Sequence, residues 1–167
     1  MLHKIILAYS GISILYSGDE IAQLNDWNYL KIDNKRNDSR WLHRPSFNWE
    51  RAKNRNNLGT IADRTFTEIK NAIDIRGKHN IFRSDILAIP FYTGEKFIFS
   101  FKKRSNNEEL LVLSNFSESP AYVKTQELFK EGFFEKLTNL LQGKVVDLTE
   151  EKILVGPYEC LWLYKNF

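Results

Sequence analysis

The sequence predicts an α/β segment followed by an all-β domain within a chain of 167 residues. Three observations favour this fold class. A short apolar run leads into a long polar stretch, a helical periodicity follows it, and short alternating segments fill the chain after residue 80. We therefore divide the chain into residues 1–80 and residues 81–167.

The first part begins with a predicted helix and a predicted strand. Helical spacing joins Leu2, Ile5, Ile6 and Tyr9, and Gly11 is a suitable end for that helix. Residues 12–16 are then continuously apolar, which is typical of a strand buried on both faces in a parallel sheet. One helix cannot cover both faces, so we expect these residues to be a fragment of a larger fold.

A long polar stretch, residues 23–57, follows the predicted strand and shows little periodicity. Loops of that length are uncommon in compact domains and are usually functional. In α/β barrels, the loops at the carboxyl ends of the strands build the active site. The polar stretch is therefore where we expect functional residues.

A helix is predicted over residues 60–78. Thr60 is a suitable N-cap, Asp63 lies three residues later, and Gly77 fits the C-terminal stop. The helical stripe consists of Ile61, Thr65, Ile69, Ala72, Ile73 and Arg76.

Residues 81–167 alternate short strand patterns with turn signals, which predicts an antiparallel β-sandwich. We expect Phe97, Phe99 and Phe101 to face its core. In the last strand, Cys160, Trp162 and Tyr164 share one face. Residues 126–141 are compatible with either helix or loop.

Composition excludes several classes of function. The net charge is +3 and is spread along the chain, so nucleic-acid binding has little electrostatic support. We expect the densest basic run, residues 102–104, to be a solvated hairpin tip. No apolar stretch reaches the roughly 18 residues of a membrane span. The single cysteine, Cys160, forms no internal disulfide, and the compartment is left open.

Histidine spacing gives no reason to expect a metal. His3, His43 and His79 lack the spacing of zinc ligands, so we expect neither a metal nor another cofactor.

Two motifs resemble a known family. Residues 11–20 read GISILYSGDE and resemble the eighth barrel strand of the α-amylase superfamily, glycoside hydrolase family 13. Residues 37–45 read NDSRWLHRP and resemble the following loop of amylosucrases, which reads DDSRWAHRP. Residues 24–26 (LND) and 115–120 (NFSESP) are also similar to amylosucrases. Order and spacing match over essentially the whole chain, although Ser13 replaces the proline of the family's strand.

The resemblance implies a fold and an activity. Residues 1–80 would be the last strand, loop and helix of a (β/α)8 barrel, and residues 81–167 an antiparallel β-sandwich C-terminal domain. Amylosucrases transfer the glucosyl group of sucrose to an α-1,4-glucan with retention, through a covalent glucosyl-enzyme, and need no nucleotide sugar. The family's three catalytic carboxylates lie on earlier strands, so no residue of this chain is expected to be catalytic.

Substrate-binding residues are expected in the loop motif. The resemblance pairs Arg40 with an upstream aspartate at the bottom of the glucose pocket, and a guanidinium suits both carboxylates and sugar hydroxyls. Asp38 belongs to the same candidate site. Trp41 is either a wall of the pocket or a packing residue beneath the loop. The alternative is that Arg40 is a surface arginine without a role in substrate binding.

Four further residues are expected to support the loop. His43 and Arg44 would orient it through hydrogen bonds. Asp19 and Glu20 invite a catalytic role, but neighbouring residues of an extended segment point to opposite faces and cannot flank one glycosidic bond. We therefore expect them to support the loop and the adjacent strands.

Two alternatives stay open. A carbohydrate-binding module without catalysis would suit the sandwich and the aromatic content of 14%, but it has no use for a barrel strand and its loop. The second is a subunit that complements a separately encoded N-terminal part of the same enzyme. Sucrose and α-glucan would then be reached only through the complete barrel.

Overall fold

The structure is a computed structural model that describes all residues, 1–167. The helices are α1 (Leu2–Ala8), α2 (Trp49–Lys53), α3 (Ile61–Arg76) and α4 (Thr125–Lys130). The strands are β1 (Ile89–Pro90), β2 (Ile98–Arg104), β3 (Glu108–Asn115), β4 (Ala121–Lys124), β5 (Lys136–Asn139), β6 (Lys144–Asp147), β7 (Lys152–Val155) and β8 (Cys160–Asn166). Short 3₁₀ turns cover Asp19–Ile21, Trp27–Lys31, Ser39–His43, Asn54–Asn56 and Asn80–Phe82.

The chain forms two compact units. The first, here called the β unit, comprises Met1–Ser13 and Asn71–Phe167. The second, here called the loop unit, comprises Ile14–Lys70. The boundary near residue 80 that we drew from sequence stays a prediction. None of the helices combines the length and hydrophobicity that a membrane span requires.

The β unit contains two antiparallel sheets. Six strands pair in the order β1-β2-β3-β8-β5-β6, and β4 pairs with β7 in a separate two-stranded sheet. The centre is the β3–β8 pair, in which Leu111 faces Leu163 and Val112 faces Trp162. All four side chains are inaccessible to solvent, because β3 and β8 are covered on both faces. The prediction of antiparallel sheets is confirmed.

Each face of the six-stranded sheet has its own core. One face packs against the two-stranded sheet and α4; its buried side chains include Leu111, Leu113, Leu163, Val123, Leu128 and Val155. The other face packs against α1, the end of α3 and the turn at Asn80–Phe82; its buried side chains include Phe101, Val112, Trp162, Leu7, Ala72 and Phe82. Cys160 and Trp162 are buried in this second core with Tyr164 packed against it, as the sequence predicted.

The predicted helix at residues 60–78 is confirmed as α3. The Thr60 hydroxyl accepts a hydrogen bond from the Asp63 amide at 3.1 Å, and the Asp63 carboxylate accepts one from the Gly59 amide at 2.9 Å. These two side-chain hydrogen bonds fix the backbone at the start of the helix, which explains why it begins at Ile61. Of the predicted stripe, Ile69 and Ala72 are buried, whereas Ile61 is 57% exposed.

The predicted strand at residues 12–16 is wrong in this structure. These residues form no ladder, and the side chains of Ile12 and Ile14 are 87% and 79% exposed. A strand exists only where a neighbour accepts its hydrogen bonds, and no segment of this chain pairs with it. The barrel interpretation of residues 1–80 therefore stays a proposal.

The assignment of the phenylalanine stripe is wrong for two of its three members. Phe97 is 52% exposed and Phe99 is 37% exposed, whereas Phe101 is inaccessible. On the opposite face of β2, Ile98 and Ser100 are buried. The elements that cover Phe101 do not extend over Phe97 and Phe99. Only Phe101 of the three is therefore in the core.

The basic run at residues 102–104 is not a solvated tip. The tip of the β2–β3 hairpin is Ser105–Asn107 instead. Lys103 is inaccessible to solvent, Lys102 pairs with Glu131 at 2.6 Å, and Arg104 pairs with Glu109 at 2.7 Å. The alternation of β2 forces Lys103 onto the same face as Phe101.

Candidate functional site

Two separate segments of the loop unit meet at the candidate site. The amide of Asp26 donates a hydrogen bond to the carbonyl of Leu42 at 2.9 Å. The Nδ1 atom of His43 lies 3.3 Å from the Oδ1 atom of Asn25. These contacts bring together residues 24–26 and 37–45, which are the two stretches of the loop that carry the family resemblance. The role of His43 in supporting the loop stays a prediction.

Asp38 and Arg40 form a forked pair on the surface of this loop. Asp38 caps the turn at Ser39–His43 by accepting a hydrogen bond from the Arg40 amide at 3.1 Å. The Arg40 Nε and Nη2 atoms donate to the Asp38 carboxylate at 2.8 and 2.7 Å. These bonds lower the pKa of Asp38 to about 2, so its charge is fixed. The Arg40 side chain is nevertheless 70% exposed, and its Nη1 atom donates to no protein group.

The remaining loop residues occupy distinct positions. Trp41 is half-buried, and the Lys35 ammonium lies 4.2 Å from the centre of its ring, so one face of the indole is covered. Arg44 is exposed and contributes a positive field that helps to lower the pKa of Asp38. Its side chain makes no hydrogen bond within the loop.

A polar depression of about 360 Å³ lies beside the Asn25–Asp26 segment. Its walls include Asn25, Asp26, Pro45, Ser46, Asn48 and Arg51. Gln23 spans it, since its Nε2 atom donates to the Ser46 carbonyl at 2.8 Å and its Oε1 atom accepts from the Asn48 amide at 2.9 Å. The Nε atom of Arg51, another lining residue, donates to the Ile21 carbonyl at 2.7 Å.

Sequence reasoning missed Gln23 and Arg51. Both act through backbone groups of distant residues, and such contacts leave no local pattern in the sequence. One signal was available in the sequence, namely Gly18, which precedes Gln23 in the same turn region. Gly18 has φ of 102°, and a Cβ atom there would lie 3.0 Å from the Cβ of Gln23. Gly18 is required both for its backbone conformation and for the approach of Gln23.

Asp19 and Glu20 lie in a 3₁₀ turn and not in an extended segment. The Glu20 Oε2 atom accepts a hydrogen bond from the Gly18 amide at 2.8 Å, so Glu20 stabilises its own turn. No hydrogen bond joins Glu20 to residues 37–45. No three His, Cys, Asp or Glu side chains converge in a manner that could hold a metal ion.

The fold of this chain, with its antiparallel sheets, is similar to part of several solved amylase structures. No family model matches the sequence.

Several solved structures share this fold with the chain. AmyP in complex with maltose has a TM-score of 0.70 at 20% identity, over 97% of this chain and 33% of AmyP. An Anoxybacillus α-amylase has a TM-score of 0.65 at 16% identity, over 96% and 30%. The trehalose-6-phosphate hydrolase of Bacillus licheniformis has a TM-score of 0.64 at 14% identity, over 98% and 37%. The chain therefore spans about a third of the length of these enzymes, and identities this low speak for the fold alone.

Proposed function

We propose that this chain is the C-terminal portion of an amylosucrase-like enzyme that transfers glucosyl groups from sucrose to an α-1,4-glucan. In this proposal the chain supplies the substrate loop, and the catalytic carboxylates come from the other barrel strands. By itself the chain turns over no sugar. The whole enzyme would be a retaining glycosyltransferase or glycosidase of the α-amylase superfamily.

The observation that carries the proposal is the convergence of residues 24–26 with residues 37–45. Both stretches resemble amylosucrases, and the bond between Asp26 and Leu42 holds them side by side. Chance similarity of two short segments does not require them to touch. Their contact supports the proposal, because the two similar stretches belong to one local structure.

Arg40 is the residue that we propose for substrate contact. Asp38 occupies the Nε edge of its guanidinium and holds the plane in one orientation. The free Nη1 edge is then presented to solvent, where a carboxylate or a pair of sugar hydroxyls can accept from it. A preoriented donor costs less conformational entropy on binding than a free arginine side chain.

The chemistry of retention explains why the chain needs the rest of a barrel. Retaining transfer requires two carboxyl groups about 5 Å apart on opposite sides of the scissile bond. Asp19 and Glu20 are consecutive residues, and Glu20 is engaged by the Gly18 amide. In the proposal they support the loop together with His43, and Arg44 does so through its positive charge near Asp38. Trp41 offers its uncovered face to the pocket.

A fused enzyme tests the proposal. Residues 1–167 are joined behind the first seven barrel strands of an established amylosucrase, in place of that enzyme's own C-terminal portion. We expect the fusion to release fructose from sucrose and to elongate glycogen, since the loop completes the glucose pocket. The matched control joins the same seven strands to the corresponding portion of AmyP.

Two outcomes would count against the proposal. One is a folded fusion that releases no fructose while the parent amylosucrase does. The other is equal sucrose turnover in the AmyP control, because the loop of this chain would then add nothing specific to sucrose.

A further inference from the structure

A second polar depression, of about 640 Å³, lies in the β unit and shares no residue with the candidate site. It is lined by Asn80, Arg83 and Asp85 and by Asn106 and Asn107 of the hairpin tip. Glu108 and Asn166 complete it, and Ile86 is its only apolar side chain. Its volume falls within the range of small-ligand sites, about 300–1,000 Å³.

Glu108 is the built feature of this depression. The residue is only 8% exposed, and its Oε1 atom accepts a hydrogen bond from the Tyr164 hydroxyl at 2.8 Å. The Nδ1 atom of His79 lies 3.9 Å from the same oxygen. No protein group donates to Oε2. A carboxylate that is held at one oxygen and unpartnered at the other is a preoriented acceptor on the wall of the depression.

The lining carries one positive charge, on Arg83, and two negative charges, on Asp85 and Glu108. Arg83 donates to Asp85 through Nε and Nη2 at 3.0 and 2.9 Å, and this pairing lowers the pKa of Asp85. A phosphate or carboxylate ligand would meet the carboxylates of Asp85 and Glu108 at close range. A cation would meet Arg83. The lining therefore favours a neutral ligand.

The same lining favours hydroxyl groups. Each asparagine amide presents a donor and an acceptor side by side, and each sugar hydroxyl both donates and accepts. Four asparagines, Asn80, Asn106, Asn107 and Asn166, face the depression with Ser105 and Glu108. A peptide is disfavoured, because its apolar side chains would have only Ile86 to pack against. We propose that this depression is a binding site for a neutral saccharide, independent of the sucrose loop.

The test uses the intact chain and two neutral sugars, maltotriose and sucrose, in a titration followed by backbone amide NMR. We expect maltotriose to shift the amides of Asn106, Asn107 and Glu108 with a dissociation constant in the millimolar range, because the depression is open. The double variant Asn106→Ala, Asn107→Ala should weaken binding at least five-fold. Both side chains are exposed, so the fold should be unaffected.

Further variants make the outcome decisive. Glu108→Gln should also weaken binding, and Asn34→Ala, an exposed asparagine of the loop unit, should leave it unchanged. The inference is overturned if neither sugar shifts these amides at 50-fold the concentration of protein, or if the double variant binds like the parent. Since binding is measured without catalysis, failure of the sucrose proposal would leave this result intact.

Discussion

Lys103 offers a quantitative test of the packing in the β unit. The residue is inaccessible to solvent, and its Nζ atom makes a single hydrogen bond, to the Arg83 carbonyl at 3.4 Å. Burial, and then the nearby Arg76, lower its pKa from 10.5 to about 8. The carboxylate of Asp85, whose charge acts on Lys103, is already engaged by Arg83. The folded state therefore holds a poorly compensated charge at neutral pH.

The direction of the pH effect follows from the two pKa values. Below pH 8 the lysine is charged in both the folded and the unfolded state, and the full cost of burial is present. Between pH 8 and 10.5 the folded state releases the proton first, so the cost disappears as pH rises. A shift of this size corresponds to up to about 3 kcal/mol of unfolding free energy.

We therefore expect Lys103→Met to raise the unfolding free energy at pH 7 by up to about 3 kcal/mol. The gain should shrink through pH 8 to 10. Urea unfolding followed by tryptophan fluorescence at several pH values measures both, with the exposed Lys124→Met as control. Destabilisation by Lys103→Met at pH 7, or a gain that does not depend on pH, would refute the burial argument.

Three other predictions concern the whole chain. Incubated with sucrose and glycogen, the purified chain should release no fructose above a heat-killed control; release would show a catalytic pair within residues 1–167. Amide hydrogen exchange should be slowest in β3 and β8, which are covered on both faces. Faster exchange there than in residues 12–16 would refute the assignment of the core. Light scattering should show self-association, because Ile12 and Ile14 are exposed beside unpaired backbone, and Ile12→Ser with Ile14→Ser should reduce it; a clean parent monomer at high concentration would contradict this.

Local chemistry made much of the fold predictable. Thr60 and Asp63 predict the start of α3, because capping hydrogen bonds join residues that are close together in the sequence. The apolar run at residues 110–113 is a local signal for a strand, and β3 contains it. The turn at residues 115–120 is equally local. The Asn115 Oδ1 atom accepts from the Ser117 amide at 2.9 Å, and its Nδ2 atom donates to the Ser119 carbonyl at 2.8 Å.

The errors come from partners that are distant in sequence. Alternation in β2 shows that Phe99 and Lys103 share a face, but it does not show where the cover of that face begins and ends. Phe99 is consequently more exposed than the sequence suggests, and Lys103 less so. Residues 12–16 have the composition of a buried strand, but a strand also needs a neighbour to pair with. Composition alone does not reveal the neighbour.

The sequence indicated which segment holds the candidate site, but it did not indicate how the side chains of that segment are arranged. The motif at residues 37–45 pointed to Arg40, Asp38, Trp41 and His43. It did not reveal that Asp38 itself forms the fork with Arg40, because an interaction across two residues of a 3₁₀ turn depends on that turn being formed. The pairing of Arg40 with an upstream carboxylate stays a prediction.

The most direct measurement of the central claim is sucrose turnover by the fused enzyme carrying Arg40→Ala, compared with the same fusion carrying Arg44→Ala. Both arginines are exposed residues of one loop, and only Arg40 is held in a fork by Asp38. We expect kcat/KM for fructose release to fall by roughly 100-fold for Arg40→Ala, because the glucosyl unit loses its positioning contact, and by much less for Arg44→Ala. Near-normal turnover in the Arg40→Ala fusion would contradict the claim that this loop binds the substrate.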